Sequence, residues 1–385
     1  MKVLIKGSIF PQAGFSYRIY SLAFALHKYC ELILLEEKHE VAIQNESRYK
    51  IFKCVYFYNP FRILNTSFGS FFADLNPTYY HSIFRIIERE KPDIIQISFP
   101  YGIFSARLIN TLRGKARIVY DAHNVEADMV KIYMNNPNTP LPKKLIIAGM
   151  TPFIEKLAVS SADHIITISE LDRQRFIERY GISGDKISVI PVGVSLPDLQ
   201  VFNSNREKEN SEITILFHGS YNYFPNREAV NVILNKIAPE IMKKHKNVIF
   251  ILAGTNMPKF KKQNIVSLGY VDNLSQLISS CDIAIVPITQ GGGVRVKILD
   301  YMAFGKPIVT TSKGIEGIEA ENGKHAIIVN DVDEKFIEAI EYLIENEEKK
   351  RSLGKEARKL AEEKYDIQKI GKKLYQLYIN LGSYS

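Results

Sequence analysis

Short apolar segments alternate with helical patterns along almost the whole chain, and this alternation is what most constrains the fold. Most of the apolar segments are continuous and rich in Ile and Val, as expected for strands buried on both faces of a parallel sheet. The predicted strands are KVLIKG, ELILLEE, YKIFKCVYF, DIIQISF, RIVYDAH, HIITIS, ISVIPVGV, ITILFHGS, NVIFILAG, NIVSLGYV, IAIVPI, PIVTT and HAIIVN. Between them lie helical stretches such as YRIYSLAFALHKY and REAVNVILNKIAPEIMKKH. Repeated strand–helix units of this kind predict doubly wound α/β sheets.

A polar stretch divides the chain. The 385 residues suggest two domains, and SLPDLQVFNSNREKENSE, residues 195–212, is charged and has no periodic apolar face. We therefore predict a first domain over residues 1–195 and a second over residues 212–365. The amphipathic C-terminal segment, residues 366–385, could pack on either domain, and we assign it to the first.

The composition is that of an ordinary globular protein, with 46% hydrophobic and 24% charged residues, which excludes disorder and collagen-like repeats. The 50 Lys and Arg residues against 42 Asp and Glu residues leave a formal net charge of +8. This charge favours anionic partners such as nucleotides, phosphorylated substrates or acidic lipid surfaces. No Lys/Arg run is typical of a nucleic-acid-binding arm, so no nucleic-acid partner is expected.

The cysteines and the apolar runs bear on the compartment. Three cysteines without a C-x-x-C pair argue against a disulfide framework or a structural zinc site, and favour a reducing environment. Nowhere do about 18 consecutive apolar residues occur, so no transmembrane helix is predicted. We predict a cytoplasmic protein, and a peripheral contact with the inner face of a membrane is left open.

Several familiar enzyme classes lack their motifs. The first predicted strand ends in KGSIFPQAGF, which has no G-x-G-x-x-G, and the chain contains no P-loop, G-x-S-x-G elbow or H-E-x-x-H. The sequence therefore gives no support for a dehydrogenase, a P-loop NTPase, a serine hydrolase or a zinc protease.

The most informative segment is a run of three glycines, Gly291, Gly292 and Gly293, between the predicted strand IAIVPI and a helix predicted over residues 294–304. Glycines at this point let the backbone approach a ligand closely and leave the N–H groups at the helix start free, which suits a phosphate or pyrophosphate.

Helical geometry orders the side chains after the glycines. The apolar stripe that faces the core is predicted to consist of Val294, Ile298, Leu299 and Met302. Lys297 and Asp300 then point away from that stripe together, and Arg295 lies in the first turn, where it can reach the glycine loop. A cation and a carboxylate in these places could hold a phosphate and a ribose diol. A surface Lys–Asp pair without function is the alternative.

Together these segments resemble the family 4 glycosyltransferases, which have the GT-B fold. GGGVRVKILDYMAFGKPIV followed by GIEG resembles the nucleotide-sugar motif, FPQAGFSYRIYSLAFAL the N-terminal glycine loop and first helix, and VYDAHNVE the D-x-H-N-x-E segment. Other similar segments are ADHIITISELDRQRFIERYG, ISVIPVGV, ILFHGSYNYFPN, NVIFILAG, VSLGYVDNL and EEKYD. Their order and spacing extend the resemblance over nearly the whole chain.

The resemblance implies an α/β protein with two doubly wound Rossmann-like domains facing across a cleft. It implies transfer of a hexosyl group from a nucleotide diphosphate sugar to a sugar or lipid-linked acceptor. Transfer would usually retain the anomeric configuration and would need no essential metal ion or other cofactor. The donor would bind mainly to the second domain, and the acceptor to the first.

The same resemblance assigns roles in the second domain. Asp300 takes the place of the second Glu in the family's Glu-x7-Glu pattern, the one that holds the ribose. Lys297, helped by Arg295, would neutralise the departing diphosphate, and backbone N–H groups from Gly291 to Val294 would contact the phosphate or the donor sugar. The first Glu of the pattern falls at Gly292, so the carboxylate that contacts the sugar is missing here.

In the first domain, His123 directly follows the predicted strand RIVYDA and should lie at the edge of the sheet where doubly wound folds bind ligands. The resemblance makes His123 an active-site residue that hydrogen-bonds the donor sugar, and a capping or loop histidine is the alternative. Asp121 and Glu126 could orient the loop or cap the next helix.

The remaining donor-binding residues are also assigned by resemblance, each with an ordinary turn as its alternative. Gly14 would approach the donor phosphates, as would Gly219 and Ser220, while Tyr270 and Val271 would meet the nucleobase through backbone groups.

The acceptor is left open. The aromatic segment of residues 68–84 and the pair Lys143 and Lys144 could contact a lipid-linked acceptor or an anionic membrane, although ordinary packing and a solvated face are favoured. Two other functions stay possible: a nucleotide-sugar epimerase of the same architecture and a non-catalytic nucleotide-sugar-binding protein.

Overall fold

A computed structural model describes residues 1–7, 14–37, 53–57, 74–135, 140–199 and 212–382. The chain forms two compact units. The first contains Met1–Gly193 and Ile367–Ser385, and the second contains Val194–Asp366. Most of the predicted linker, residues 200–211, lies outside the described part of the chain. Each unit is built on its own sheet.

The first sheet consists of parallel strands in the order β3-β2-β1-β4-β5-β6-β7. Its strands are β1 (Lys2–Lys6), β2 (Glu31–Glu37), β3 (Lys53–Phe57), β4 (Ile94–Ser98), β5 (Arg117–Ala122), β6 (His164–Thr167) and β7 (Ile187–Val189). Its helices are α1 (Gly14–Leu26), α2 (Pro77–Glu90), α3 (Ile103–Arg113), α4 (Glu126–Asn135), α5 (Leu141–Ser161) and α6 (Glu170–Tyr180). The strand order reverses between β1 and β4, so the carboxyl ends of these strands border the crevice that this fold uses for ligands.

The second sheet has the order β10-β11-β9-β8-β12-β13-β14. Its strands are β8 (Ile213–His218), β9 (Val248–Ala253), β10 (Phe260–Lys262), β11 (Ile265–Gly269), β12 (Ile283–Val286), β13 (Ile308–Thr311) and β14 (Ile327–Val329). Its α-helices are α7 (Phe224–Val232), α8 (Ala238–Lys244), α9 (Leu274–Ser280), α10 (Val296–Ala303), α11 (Glu334–Glu345) and α12 (Glu347–Leu360). Here the order reverses between β8 and β12.

Each predicted strand has a counterpart in the structure, and the predicted α/β class with two doubly wound, Rossmann-like domains is confirmed. Among the described strands, β10 is the one that the sequence analysis did not predict. It pairs antiparallel with β11 at the sheet edge, and its residues FKK are largely exposed. A short edge strand needs no apolar run, so its sequence carries no strand signal.

The C-terminal helix α13 (Ile367–Gly382) belongs to the first unit. Ile370, Leu374 and Tyr378 are buried in one apolar cluster with Ile5 of β1 and Leu22 of α1. The hydroxyl of Tyr378 also donates to Gln96 Oε1 at 2.5 Å. The last helix therefore completes the core under the first strand of the chain.

Candidate functional site

The glycine loop follows β12 at the point where the order of the second sheet reverses. Gly291 and Gly293 have φ angles of 110° and 71°, which side-chain-bearing residues rarely adopt. A Cβ atom at Gly291 would lie 2.7 Å from Oη of Tyr223, so the backbone there approaches its neighbour as only glycine allows. The loop lies where doubly wound sheets bind their ligands.

Arg295 reaches the glycine loop, as its position in the sequence predicted. Its guanidinium Nη1 donates to the carbonyl oxygen of Gly292 at 2.7 Å and also to that of Gly293. The predicted helix of residues 294–304 was too long at both ends, because Arg295 is the extended N-cap residue and α10 begins at Val296. Val294, predicted as core, is half-buried. Arg295 thus fixes the loop conformation from the helix start.

Lys297 is not a surface lysine. Its residue is 9% exposed, its Nζ donates to Oδ1 of Asn226 at 2.7 Å, and it lies 4.1 Å from the ring centroid of Phe217. Burial, with the nearby charge of Arg295, holds the pKa of Lys297 well below its ordinary value. A surface Lys–Asp pair is therefore excluded, and the second domain holds a buried amine whose charged form an anionic ligand would stabilise.

Asp300 follows Lys297 by one helical turn. Its side chain is 24% exposed, and its Oδ2 is 4.0 Å from Nε2 of His218. Burial raises the pKa of Asp300 to about 7, against the lowering effect of Lys297. A carboxylate that water still reaches can accept hydrogen bonds from neighbouring hydroxyl groups.

Gly219 and Ser220 follow β8, beside the same lysine. A Cβ atom at Gly219 would lie 2.5 Å from Nζ of Lys297, and one at Gly254 would lie 2.0 Å from the carbonyl oxygen of Gly219. Asn226 also donates through Nδ2 to the carbonyl oxygen of Ser220 at 2.8 Å. The turn after β8, the start of α7 and Lys297 therefore form one hydrogen-bonded group.

The residues assigned to the nucleobase follow β11. Tyr270 is 64% exposed and Val271 is half-buried. Their backbone groups lie at the carboxyl end of a strand of the second sheet, as do Gly219 and the glycine loop. Gly14, assigned to the donor phosphates, is the first residue of α1, and residues 8–13, between β1 and Gly14, lie outside the described ranges.

In the first domain, His123 follows β5 and is buried beside Asp121. Its Nε2 is 3.2 Å from Oδ2 of Asp121, and its ring packs on Phe99 with centroids 4.5 Å apart. Burial lowers the pKa of His123, although Asp121 opposes the effect. Phe99 has a φ of 66°, which is uncommon for a bulky residue and typical of functional or strained positions.

Asp121 is the centre of a buried polar network. Its Oδ1 accepts hydrogen bonds from Nε and Nη2 of Arg18 at 3.0 and 2.8 Å, and its Oδ2 accepts from Gln96 and Ser98. Burial alone would raise the pKa of Asp121, but Arg18 and His123 lower it below its ordinary value. The network joins α1, β4 and β5 beneath His123 and orients its ring.

Glu126 begins α4, and a second carboxylate caps this helix. Glu155 accepts hydrogen bonds from the backbone N–H groups of Glu126 at 2.7 Å and Ala127 at 3.0 Å, and from Tyr180 Oη at 2.6 Å. Burial, with the charge of Glu155, raises the pKa of Glu126 to about 7. The cap fixes the chain that leaves His123.

Sequence reasoning missed several residues of these groups. Asn226, His218 and Phe217 precede the glycine loop by more than sixty positions, and only the sheet topology brings them beside it. The segment FHGSYNYFPN, which contains all three, was assigned to the site through Gly219 and Ser220 alone. Arg18 was overlooked because a single arginine in an amphipathic helix normally lies at the surface.

Comparison with known proteins identifies the family. Two family models match the chain in succession: Glycosyltransferase Family 4 over residues 14–197 and Glycosyl transferases group 1 over residues 212–346. The chain therefore belongs to the group 1, family 4 glycosyltransferases, as the motifs predicted, and is a glycosyltransferase enzyme.

One curated relative is spore coat protein SA of Bacillus subtilis, which is 22% identical over 254 residues. That match covers 58% of this chain and 66% of the relative, slightly under two thirds of its length.

Two solved structures show the GT-B fold over the full length. HepE of Anabaena, crystallised in complex with UDP, has a TM-score of 0.72 at 15% identity and covers 98% of this chain and 99% of its own. Sucrose-phosphate synthase of Thermosynechococcus elongatus has a TM-score of 0.76 at 13% identity, with 100% of both chains covered.

The described residues also bear on membrane insertion and on metal binding. None of the described helices is long and apolar enough to cross a bilayer. Among the same residues, no group of three or more His, Cys, Asp or Glu side chains is arranged to hold a metal ion.

Proposed function

We propose that the enzyme binds a nucleotide diphosphate sugar on its second domain and transfers the sugar to a hydroxyl group of an acceptor, with retention of configuration. The observation that carries this proposal is the buried ammonium of Lys297 next to the glycine loop. Among the described residues, no carboxylate lies within hydrogen-bond distance of this ammonium, which donates to the neutral amide of Asn226. A buried charge without an opposite partner is costly, and a diphosphate would offset that cost. Asp300, one turn further, is placed to accept hydrogen bonds from a ribose.

In this reaction the bond between the sugar's anomeric carbon and the diphosphate oxygen breaks, and the nucleoside diphosphate leaves with the electron pair. The acceptor oxygen forms the new bond to the anomeric carbon and passes its proton to the departing phosphate oxygen, which lies on the same face of the sugar when configuration is retained. Lys297 and Arg295, with the backbone N–H groups of Gly291 to Val294, stabilise the charge that develops on the leaving phosphate. These cations take the part that a metal ion would play, so we expect transfer to persist in chelator.

We assign the donor sugar to His123 and the acceptor to the first domain. The lowered pKa keeps the buried imidazole of His123 neutral at pH 7, and a neutral imidazole can exchange hydrogen bonds with sugar hydroxyls. Gly292, which replaces a carboxylate of the family pattern, leaves the choice of sugar to other groups.

A thermal unfolding experiment tests the nucleotide site and identifies which base it binds. Thermal unfolding is measured with UDP, GDP, ADP, dTDP and CMP, on the wild type and on Asp300→Ala. A ligand at 100 times its dissociation constant stabilises by about 2.7 kcal/mol, which is readily seen. UDP is the first probe, because HepE of Anabaena binds it. A shift in the wild type that Asp300→Ala loses supports the site, whereas no shift with any nucleotide contradicts it.

The reaction type is tested by the acceptor dependence of donor loss. A transferase consumes the donor only when an acceptor is present, beyond slow hydrolysis. Conversion of the donor without acceptor would instead indicate an epimerase, and binding without turnover under all conditions would indicate a non-catalytic nucleotide-sugar-binding protein.

We further propose that the first domain docks on an anionic membrane and that the acceptor is lipid-linked. Helices α3 and α5 expose a set of large apolar side chains, namely Phe104, Leu108, Leu112, Leu141, Leu145, Ile146 and Phe153. The acidic residue in these two helices is the buried Glu155, whereas five Lys and Arg residues lie along them. Apolar side chains beside an excess of basic ones suit a surface of anionic lipids.

Vesicle flotation tests this contact. Leu145→Glu combined with Phe153→Glu should abolish flotation with phosphatidylglycerol vesicles. Tyr342→Glu, at an exposed position of the second domain, serves as the control. The proposal would be contradicted if the double variant floated as well as Tyr342→Glu does, or if the wild type bound phosphatidylcholine vesicles as well as phosphatidylglycerol vesicles.

A further inference from the structure

The imidazole of His218 is the feature of the second domain that the assigned roles leave unexplained. His218 ends β8 at the reversal of the strand order, and its side chain is 9% exposed. Its Nε2 is buried and has no hydrogen-bond partner among the described residues. Buried polar atoms are nearly always paired, so an unpaired one in a binding site calls for a partner that comes with the ligand or moves.

Asp300 is within reach of this nitrogen. Nε2 of His218 and Oδ2 of Asp300 are 4.0 Å apart, about 1 Å more than a hydrogen bond. The histidine is held in place, because its ring packs edge-on against Tyr301 with centroids 4.9 Å apart and its backbone N–H donates to Tyr301 Oη at 3.1 Å. A hydrogen bond between the two groups therefore requires the carboxylate of Asp300, whose side chain is 24% exposed, to move about 1 Å towards His218.

The surroundings keep His218 neutral. Burial and the charge of Lys297 lower the pKa of His218 to about 3. Two other groups titrate or carry charge nearby. Arg295 lowers the pKa of Lys297. Burial, with Cys281, raises the pKa of Tyr301 well above its ordinary value, so the tyrosine stays protonated. At neutral pH the imidazole thus offers an N–H group and no charge.

We propose that His218 is a positioning residue whose Nε2–H donates to the Asp300 carboxylate and fixes it for hydrogen bonds from the ribose hydroxyls. This inference rests on the proposed nucleotide site. The N–H group of His218 also favours the ionised form of the Asp300 carboxylate, which accepts hydrogen bonds from both ribose hydroxyls at once. His218 therefore contributes to nucleotide affinity only when Asp300 is ionised and the ribose carries its hydroxyls.

The test compares UDP with 2′,3′-dideoxyuridine diphosphate by calorimetry at pH 5.5 and pH 8. His218→Leu removes the donor and keeps an apolar side chain, and His218→Gln places an amide N–H near the position of Nε2. For UDP at pH 8 we expect His218→Leu to bind about tenfold more weakly than the wild type. The loss should shrink to less than about threefold at pH 5.5, where Asp300 is protonated. The dideoxy nucleotide should bind both proteins alike, and His218→Gln should recover most of the loss.

Three outcomes would overturn the inference: unchanged binding of UDP by His218→Leu, equal losses for both nucleotides, or a further loss when His218→Leu is added to Asp300→Ala. The last two indicate general damage to the site. If wild type binds UDP, and Asp300→Ala weakens it, while His218→Leu does not, this inference fails and the proposed function stands. If wild type binds none of UDP, GDP, ADP, dTDP and CMP, the proposed function itself fails.

Discussion

The ammonium of Lys297 lies 2.7 Å from the amide oxygen of Asn226, and these two residues come from opposite sides of the glycine loop in the sequence. Within the part of the chain that the structure describes, the lysine is held by a neutral acceptor and an aromatic ring rather than by a carboxylate at hydrogen-bond distance. Its positive charge is thus kept for a ligand. Stability and activity should therefore respond in opposite directions when this charge is changed.

Lys297→Met should lower the turnover number by about 10²–10³-fold, the loss typical of one preorganised group that stabilises a developing charge. The free energy of unfolding should stay level or rise, because a buried cation is replaced by an apolar side chain of similar length. Lys306→Met is the matched control: Lys306 is also buried, but it donates to the carbonyl oxygens of Ser279 and Cys281 at 2.6 and 2.8 Å. That variant should lose stability and keep its turnover number. Unchanged transfer by Lys297→Met would remove the assigned role.

Asn226→Asp should weaken binding of the nucleoside diphosphate about tenfold and raise the melting temperature. The new carboxylate pairs with Lys297, raises the pKa of the lysine and cancels the charge that the phosphate would meet. Asn226→Ala is the comparison. It removes both the acceptor of Lys297 and the side-chain donor to the carbonyl oxygen of Ser220, which keeps its bond from the backbone N–H of Tyr223, and it should lower stability by about 1–2 kcal/mol. Tighter binding by Asn226→Asp would contradict this account of the site.

The stability of the second domain should depend on pH through Asp300. Its pKa is about 7 when folded and near 3.8 when unfolded, so the folded state binds the extra proton between these values. Stability from this group is present below pH 4 and is lost as the pH rises towards 7, by about 2–4 kcal/mol. Denaturant unfolding of Asp300→Asn across this range should be flatter than that of the wild type. Parallel curves would show that Asp300 has an ordinary pKa.

Lys297 should make the free energy of unfolding depend on pH in the opposite direction, and at higher pH than Asp300. Its pKa is lowered by folding, so the unfolded state binds the extra proton and stability rises with pH towards 10.5. Lys297→Met should lack this rise, while Lys243→Met, at an exposed lysine, should keep it.

His123→Ala should reduce activity about 10²-fold and cost about 1–2 kcal/mol of stability for the lost hydrogen bond and ring contact. His164→Ala is a control within the same sheet, because His164 is also buried and its Nε2 pairs with Ser188 Oγ at 2.9 Å. It should show a similar loss of stability and full activity. Proportional losses of activity and stability in both variants would make His123 a structural residue.

The sequence predicted the strands of both sheets because buried parallel strands need continuous Ile- and Val-rich runs, and helical periodicity placed Lys297 and Asp300 together. It could not show that Lys297 is buried, since Phe217 and Asn226 cover it from β8 and the start of α7. Helical periodicity predicts which residues share a face of the helix. It does not predict which residues from distant segments pack against that face, because this depends on the tertiary fold. The roles of the site residues stay predictions until they are measured.

The same limit applies in the first domain. His123 was selected by its place after a buried strand, which is a local signal. The ion pair of Arg18 and Asp121 joins residues about a hundred positions apart, and no local pattern marks an arginine in α1 as buried.

The position of α13 has a consequence for synthesis of the chain on the ribosome. Ile370, Leu374 and Tyr378 fill the core beneath β1, so β1, which is translated early, waits for the much later α13 before its domain is complete. The second unit, Val194–Asp366, is contained within one uninterrupted stretch and is ready to fold earlier. The first domain should therefore be completed after the second, and a nascent chain stalled before residue 367 should hold a folded second domain and an incomplete first one.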